Sequence, residues 1–254
     1  MTSRFRSSAG AYAMVETKIL LRAKTPIIFM FVVPAFLSAI LGPAVSGLSR
    51  RGADGRAAVG FAVLFSYMVV NYAGLALFRE YWAGTWVRQA ALEPPRAAYL
   101  VGKLLPVCVL GLVQLSVFGL FAFVFLDLPM SGNPVQLLLV AIALVSSGAG
   151  IGSLLFSMTR NASSFQSLTY LILIAFGALG GAIVISSKLP TASRIIGYAT
   201  PQYWALHALN ESTFGKGSWG PTFEALGVIG AVSLITLTVA ARRFDYKKQK
   251  SGLV

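Results

Sequence analysis

Residues 98–126 read AYLVGKLLPVCVLGLVQLSVFGLFAFVFL, an apolar run in which Lys103 is the one charged residue. A helix rises 1.5 Å per residue and the hydrocarbon core of a bilayer is about 30 Å thick, so about 20 such residues suffice to cross it. This run is longer, which predicts a span that tilts or reaches beyond the membrane. Pro106 within it removes a helical hydrogen bond and is expected to kink it.

Working outward, five further stretches pass the same test: Pro26–Leu48, Ala57–Phe78, Pro134–Met158, Ser167–Ser186 and Pro221–Ala241. The composition agrees, since 56% of the 254 residues are hydrophobic and only 11% are charged. A soluble domain carries about 25% charge to solvate its surface. The expected fold is therefore an all-α integral membrane domain of six transmembrane helices. Residues 1–25 form its N-terminal tail and interfacial helix, residues 26–241 the six-span core, and residues 242–254 a basic tail. Apolarity of this degree excludes a disordered chain, and Cys108, standing alone, excludes a disulfide scaffold or a cysteine-ligated metal site.

The net charge of +13 does not point to nucleic acid, because the cations lie between apolar segments rather than on one face of a soluble domain. They read as topology signals. Arg4, Arg6, Lys18, Arg22 and Lys24 precede the first span; Arg242, Arg243, Lys247, Lys248 and Lys250 follow the last. With Arg79, Arg88, Arg96, Lys103 and Arg160 they outweigh Arg50, Arg51, Arg56, Lys188, Arg194 and Lys216 of the odd-numbered loops. Both termini are expected on the cytoplasmic side of a multi-pass protein of the cytoplasmic membrane. The cluster SRRGADGR after the first span runs against this assignment.

No small-residue cleavage site follows the first apolar stretch, so the N-terminus is not read as a signal peptide. Between Ala11 and Lys24, Tyr12, Val15 and Ile19 share one helical face, and Lys18 with Arg22 another. This pattern suits a helix in the inner headgroup layer, or alternatively an ordinary basic flank of the first span.

The most distinctive segment is FREYWAGTWVRQAALEPPRAAYLVGKLL, residues 78–105. A Gly84–Thr85 break and a Pro94–Pro95 stop bracket a segment that reads as a short amphipathic helix. Trp82, Trp86, Arg96 and Lys103 also fit an interfacial anchor, with the cations snorkelling. The two readings stand side by side.

Inside the spans the polar residues are mild, and no carboxylate falls near mid-depth. An ion-driven carrier normally needs one. Gly148 with Gly152, and Gly177 with Gly181, are two G-x-x-x-G pairs that allow close helix approach. Residues 189–209, LPTASRIIGYATPQYWALHAL, alternate apolar patches with turn signals and predict short re-entrant or interfacial helices before the last span. His207 has no partner set that would make a metal ligand, and no metal site is expected.

The order of these features, a basic amphipathic N-terminus, six spans, the 78–105 loop, SMTRNASSFQSL at 157–168 and the 189–209 segment, resembles the ABC-2 family of transporter permeases. It departs from the family pattern at Val87–Arg88 and at Glu93–Pro94–Pro95. The resemblance implies that the second loop is a coupling helix docking on an ATP-binding cassette subunit through Arg79, Glu80, Gly84, Thr85, Trp86, Arg88 and Leu92. Arg160 and Asn161 would add a smaller contact, unless they form a plain polar turn. It implies a substrate pathway where the second and fifth helices face each other across the subunit interface, lined by Tyr67, Asn71, Thr169, Tyr170 and Phe176. The alternative for these residues is internal helix-to-helix hydrogen bonding. Pro201, Tyr203 and Trp204 would form an outer gate, or Tyr203 and Trp204 an aromatic belt.

The chain has no G-x-x-x-x-G-K-[ST] segment. It is therefore not expected to be an enzyme. The resemblance implies that ATP and magnesium belong to a partner ATPase present in two copies, beside a second permease subunit, identical or sister. The function that the resemblance implies is export, and the aromatic, weakly polar lining would suit an amphiphile: a drug-like natural product, a lipid or a glycolipid. The alternatives are an ion-coupled carrier or channel acting without an ATPase, and a membrane scaffold.

Overall fold

A computed structural model describes residues 2–46, 53–92, 94–126, 128–129, 132–182, 190–245 and 250, and among these every regular element is a helix. The chain is an all-α membrane protein. Among the described residues five helical segments are individually long and apolar enough to cross a bilayer, namely Gly55–Trp82, Arg96–Phe125, Pro134–Met158, Ala162–Leu179 and Trp219–Arg243. A bent pair, Ser8–Arg22 with Ile27–Leu41, makes six when taken as one.

The N-terminal helix α1 (Thr2–Arg22) is followed after one residue by α2 (Lys24–Ser46). The next span is two helices, α3 (Ala53–Ser66) and α4 (Met68–Trp82), interrupted at Tyr67. At the interruption the Ser66 hydroxyl donates to the Val63 carbonyl at 2.7 Å and Tyr67 N–H to the Leu64 carbonyl at 3.3 Å, three residues back rather than four. Gly84, at φ +66°, stands just past the end of α4. A residue there must adopt a left-handed backbone, which glycine does without penalty, and the helix stops.

A seven-residue helix, α5 (Trp86–Leu92), then leads to α6 (Arg96–Phe125), which continues through Pro106. Next come α7 (Pro134–Met158), α8 (Ala162–Leu179), the short α9 (Thr191–Gly197), α10 (Pro201–Phe214) and α11 (Trp219–Arg243). Three of these starts carry caps that can be read from sequence. Asn133 Oδ1 accepts from Val135 N, Asn161 Oδ1 from Ser164 N, and Thr200 Oγ1 from Tyr203 N. The predicted fifth span, Ser167–Ser186, is corrected by the second of these: capped at Asn161, α8 starts earlier and ends at Leu179. The predicted pair Gly177 and Gly181 is also corrected. Gly181, at φ +86°, lies beyond the helix and is no part of a packing stripe. Residues 183–189, like Gly47 and Leu48 of the predicted first span, lie outside the described residues.

The second span is the centre of the bundle, with 67% of its apolar window buried. Helix α7 packs between α4 and α11 because glycines thin it on two sides. A Cβ on Gly152 would come within 2.3 Å of the Val70 carbonyl, and one on Gly150 within 2.3 Å of the Thr236 hydroxyl. Helix α1 and the residue that follows α11 meet beside α5. Tyr12 of α1 packs edge-on to Tyr99, and Phe244 beyond α11 packs against both Tyr99 and Trp86.

Candidate functional site: the α5 end of the bundle

The interior at this end is ionic. Glu16 of α1, fully buried, accepts from Arg79 of α4 at 2.6 Å and from Lys103 of α6 at 3.0 Å. Lys103 also pairs with Glu80, whose second carboxylate oxygen accepts from the Thr85 hydroxyl at the start of α5. Two carboxylates against two cations leave no net charge, and a buried ion is tolerable only when so matched. The Tyr12 hydroxyl donates to Gln89 of α5 at 2.5 Å. These contacts tie α1, α4, α5 and α6 into one unit.

Gly102 permits the arrangement. A Cβ there would meet the Tyr12 side chain at 2.5 Å and the Ala9 carbonyl at 2.7 Å, so only glycine lets α1 lie directly on α6. Lys103, expected to snorkel, is instead 1% exposed and points into the bundle. The reason is Glu16: a neighbouring carboxylate replaces the water that snorkelling would seek. Helix α1 correspondingly turns its Tyr12–Glu16–Leu20 stripe inward, while Val15, expected to share a face with Tyr12, is exposed.

The predicted coupling residues separate into two groups. Glu80 and Trp86 are buried, and Arg79 is half-buried on Glu16. Trp86 stacks on Tyr81 with ring centroids 4.3 Å apart. These side chains hold α5 on the bundle. Gly84, Arg88 and Leu92 face outward, together with Val87 and Trp82. Arg160 is exposed, whereas Asn161 is spent as the α8 cap. Lys250 reaches the same end, donating to the carbonyl oxygens of Phe156 and Thr159 at the C-terminus of α7. A cation is favoured there by the helix dipole.

The predicted pathway residues lie mostly in a seam inside one subunit. Phe165 packs into the space left by Gly74, joining α8 to α4. Tyr67 is buried, 6.2 Å from the Phe176 ring, and its hydroxyl is hydrogen-bonded to that of Ser147 at 2.9 Å. Thr169 is buried and its hydroxyl has no hydrogen-bond partner among the described residues; the same holds for Asn71 Oδ1. Tyr170 alone of the five projects from the bundle, beside exposed Leu171 and Ile174.

At the opposite end, Pro201 is buried as the first residue of α10. Trp204 Nε1 donates to the Tyr198 carbonyl at 2.8 Å, and Tyr203 packs edge-on to Tyr198. The aromatic residues thus bind α10 back on the end of α9.

The family model for the ABC-2 type transporter matches residues 10–214, from within α1 to the end of α10. This chain belongs to the ABC-2 type transporter family. The permease is accordingly the transmembrane component of an ABC transporter, without an ATPase site of its own, in a family that works with an ATP-binding cassette partner. No curated protein matches the permease. Of its site residues, sequence reading missed Glu16 and Gln89. Glu16, the one acidic residue among the cations before the first span, was the available signal.

Proposed function

We propose that the permease exports an amphiphile, a drug-like natural product, lipid or glycolipid, across the cytoplasmic membrane by alternating exposure of a pathway. Two copies of an ATP-binding subunit, carrying the nucleotide and magnesium, would drive it beside a second permease subunit, identical or sister. The α5 end and both termini would face the cytoplasm.

The observation that carries this reading is the two-sidedness of α5. One side is fixed to the bundle through Trp86, Gln89 and Thr85. The other presents Val87, Arg88 and Leu92. A short helix held in this way transmits a push rather than absorbing it. Closure of the ATP-binding subunits against the outer side would move α1, α4 and α6 together, and α4 would pass the motion to α8 through Phe165 in the Gly74 notch. The exposed Tyr170, Leu171 and Ile174 face of α8 would meet the second permease subunit or lipid.

The ion-coupled alternative requires a carboxylate free to exchange protons along a pathway. Glu16 and Glu80 are instead committed to Arg79 and Lys103, so no observation favours it. The test is co-purification with the ATP-binding partner, followed by reconstitution. The Arg88→Ala, Leu92→Ala double variant should lose most of the bound ATPase while helix content and elution volume stay unchanged. Full association and substrate-stimulated turnover in that variant would sink the proposal, as would solute movement by the chain alone along an ion gradient.

A further inference from the structure

Between α3, α6, α7 and α10, at the end of the bundle away from α5, lies a cavity of about 570 Å³. Small residues create it. Ala62, Gly119 and Ala141 line it without filling it, and a Cβ on Gly119 would meet nothing within 4 Å. Its back wall is apolar, from Phe118 and Leu144. Ser116, Leu120 and Leu138 on its rim are exposed on the surface that faces lipid.

The lining is unsuited to water, which needs two to four polar partners. Its side-chain hydroxyls belong to Ser116 and Thr213, and Ser116 already donates to the Leu112 carbonyl at 2.9 Å. Left empty, the space would forfeit the dispersion contacts of its whole wall. The volume is far larger than one water needs and is of the order that admits a hydrocarbon chain.

A cation flanks the lining. Arg56 lies one helical turn before Val59, which lines the cavity, and its guanidinium is 5.3 Å over the Phe214 ring. Leu128, another lining residue, touches the Gly55 position beside it. Arg56 is exposed at the span end, where a lipid phosphate lies. An apolar slot flanked by a cation has the two-part chemistry of a phospholipid.

We infer that this is a binding site for a phospholipid of the leaflet at the α10 end, with one acyl chain in the cavity and the phosphate on Arg56. The site is separate from α5 and from the α4–α8 seam, so the transport reading neither supports it nor falls with it.

The full chain is placed in vesicles of phosphatidylcholine and phosphatidylglycerol in equal amounts, with a trace of phosphatidylglycerol carrying a diazirine at one acyl terminus. Photolabelled residues are mapped by mass spectrometry. Labels are expected on the cavity faces of α6 and α7, about five-fold above the exposed α11 residues Leu234 and Ile235. Gly119→Phe, or the milder Gly119→Leu, should remove that excess. Arg56→Gln should reduce it for the phospholipid probe but not for a diacylglycerol with the same diazirine. Even labelling of all lipid-facing helices in the unmodified protein would overturn the proposal, whatever the variants do. So would undiminished labelling in a folded Gly119 variant, or crosslinks between two copies through Leu120 and Leu138.

Discussion

The Glu16 carboxylate and the Lys103 ammonium lie 3.0 Å apart with both side chains closed to solvent. Their positions in the chain are 87 residues apart. The pair joins the N-terminal helix to the third span at the level of α5, and it belongs to a group whose charges cancel. Removing one member would leave an uncompensated ion.

Glu16→Gln should therefore lower the stability of the purified permease by on the order of 3 kcal/mol. Substituting both Glu16 and Lys103 by apolar residues removes two opposite charges together, and should cost less than the sum of the two single changes. Thermal unfolding in detergent, followed by helical circular dichroism, checks the non-additivity. Equal and additive losses would mean the charges do not interact.

Thr85→Val removes the hydroxyl that α5 gives to Glu80 but keeps the side-chain volume. The reconstituted complex should keep binding its ATPase and hydrolysing ATP, while transport per ATP falls. Parallel loss of binding and transport would place Thr85 in the docking surface instead.

Gly152→Ala should destabilise by about 1–3 kcal/mol, since its methyl group would press on the Val70 carbonyl and separate α7 from α4. Gly230→Ala in α11 offers the contrast. Its Cβ would meet nothing within 4 Å, so the helix should gain about 0.5–1 kcal/mol from the better helix former. Melting temperatures of the two variants should move in opposite directions.

Trp86→Ala removes a buried ring stacked on Tyr81 and touching Phe244, and should cost about 3–5 kcal/mol. Val87→Ala, one residue on and 73% exposed, should leave the melting temperature unchanged. A reversal of that order would show that α5 sits on the bundle by its other face.

Orientation can be read with impermeant thiol reagents in a background where Cys108 is replaced by serine. Arg88→Cys should react in inside-out vesicles and Lys216→Cys in right-side-out vesicles. The opposite pattern would put α5 outside the cell and end the coupling reading.

Taken alone, the sequence settled the solvent and most of the spans, because apolar length is a property of consecutive residues and a bilayer imposes its thickness on each helix separately. It also marked α5, whose flanking Gly84 and Pro94–Pro95 act within a few residues of themselves. The Asn161 cap is an equally local signal, yet the sequence reading gave that residue a docking contact or a polar turn and started the span at Ser167. The tertiary structure alone decided that Lys103 turns inward, that Glu16 meets it, that Trp86 supports α5 rather than facing outward, and that Tyr67 and Thr169 lie in a seam within one subunit. Each of these depends on which helix lies beside which, through notches at Gly74, Gly102 and Gly152 that accept a neighbour from far along the chain. A glycine's lack of a side chain is visible in sequence, but the partner that fills the space is not.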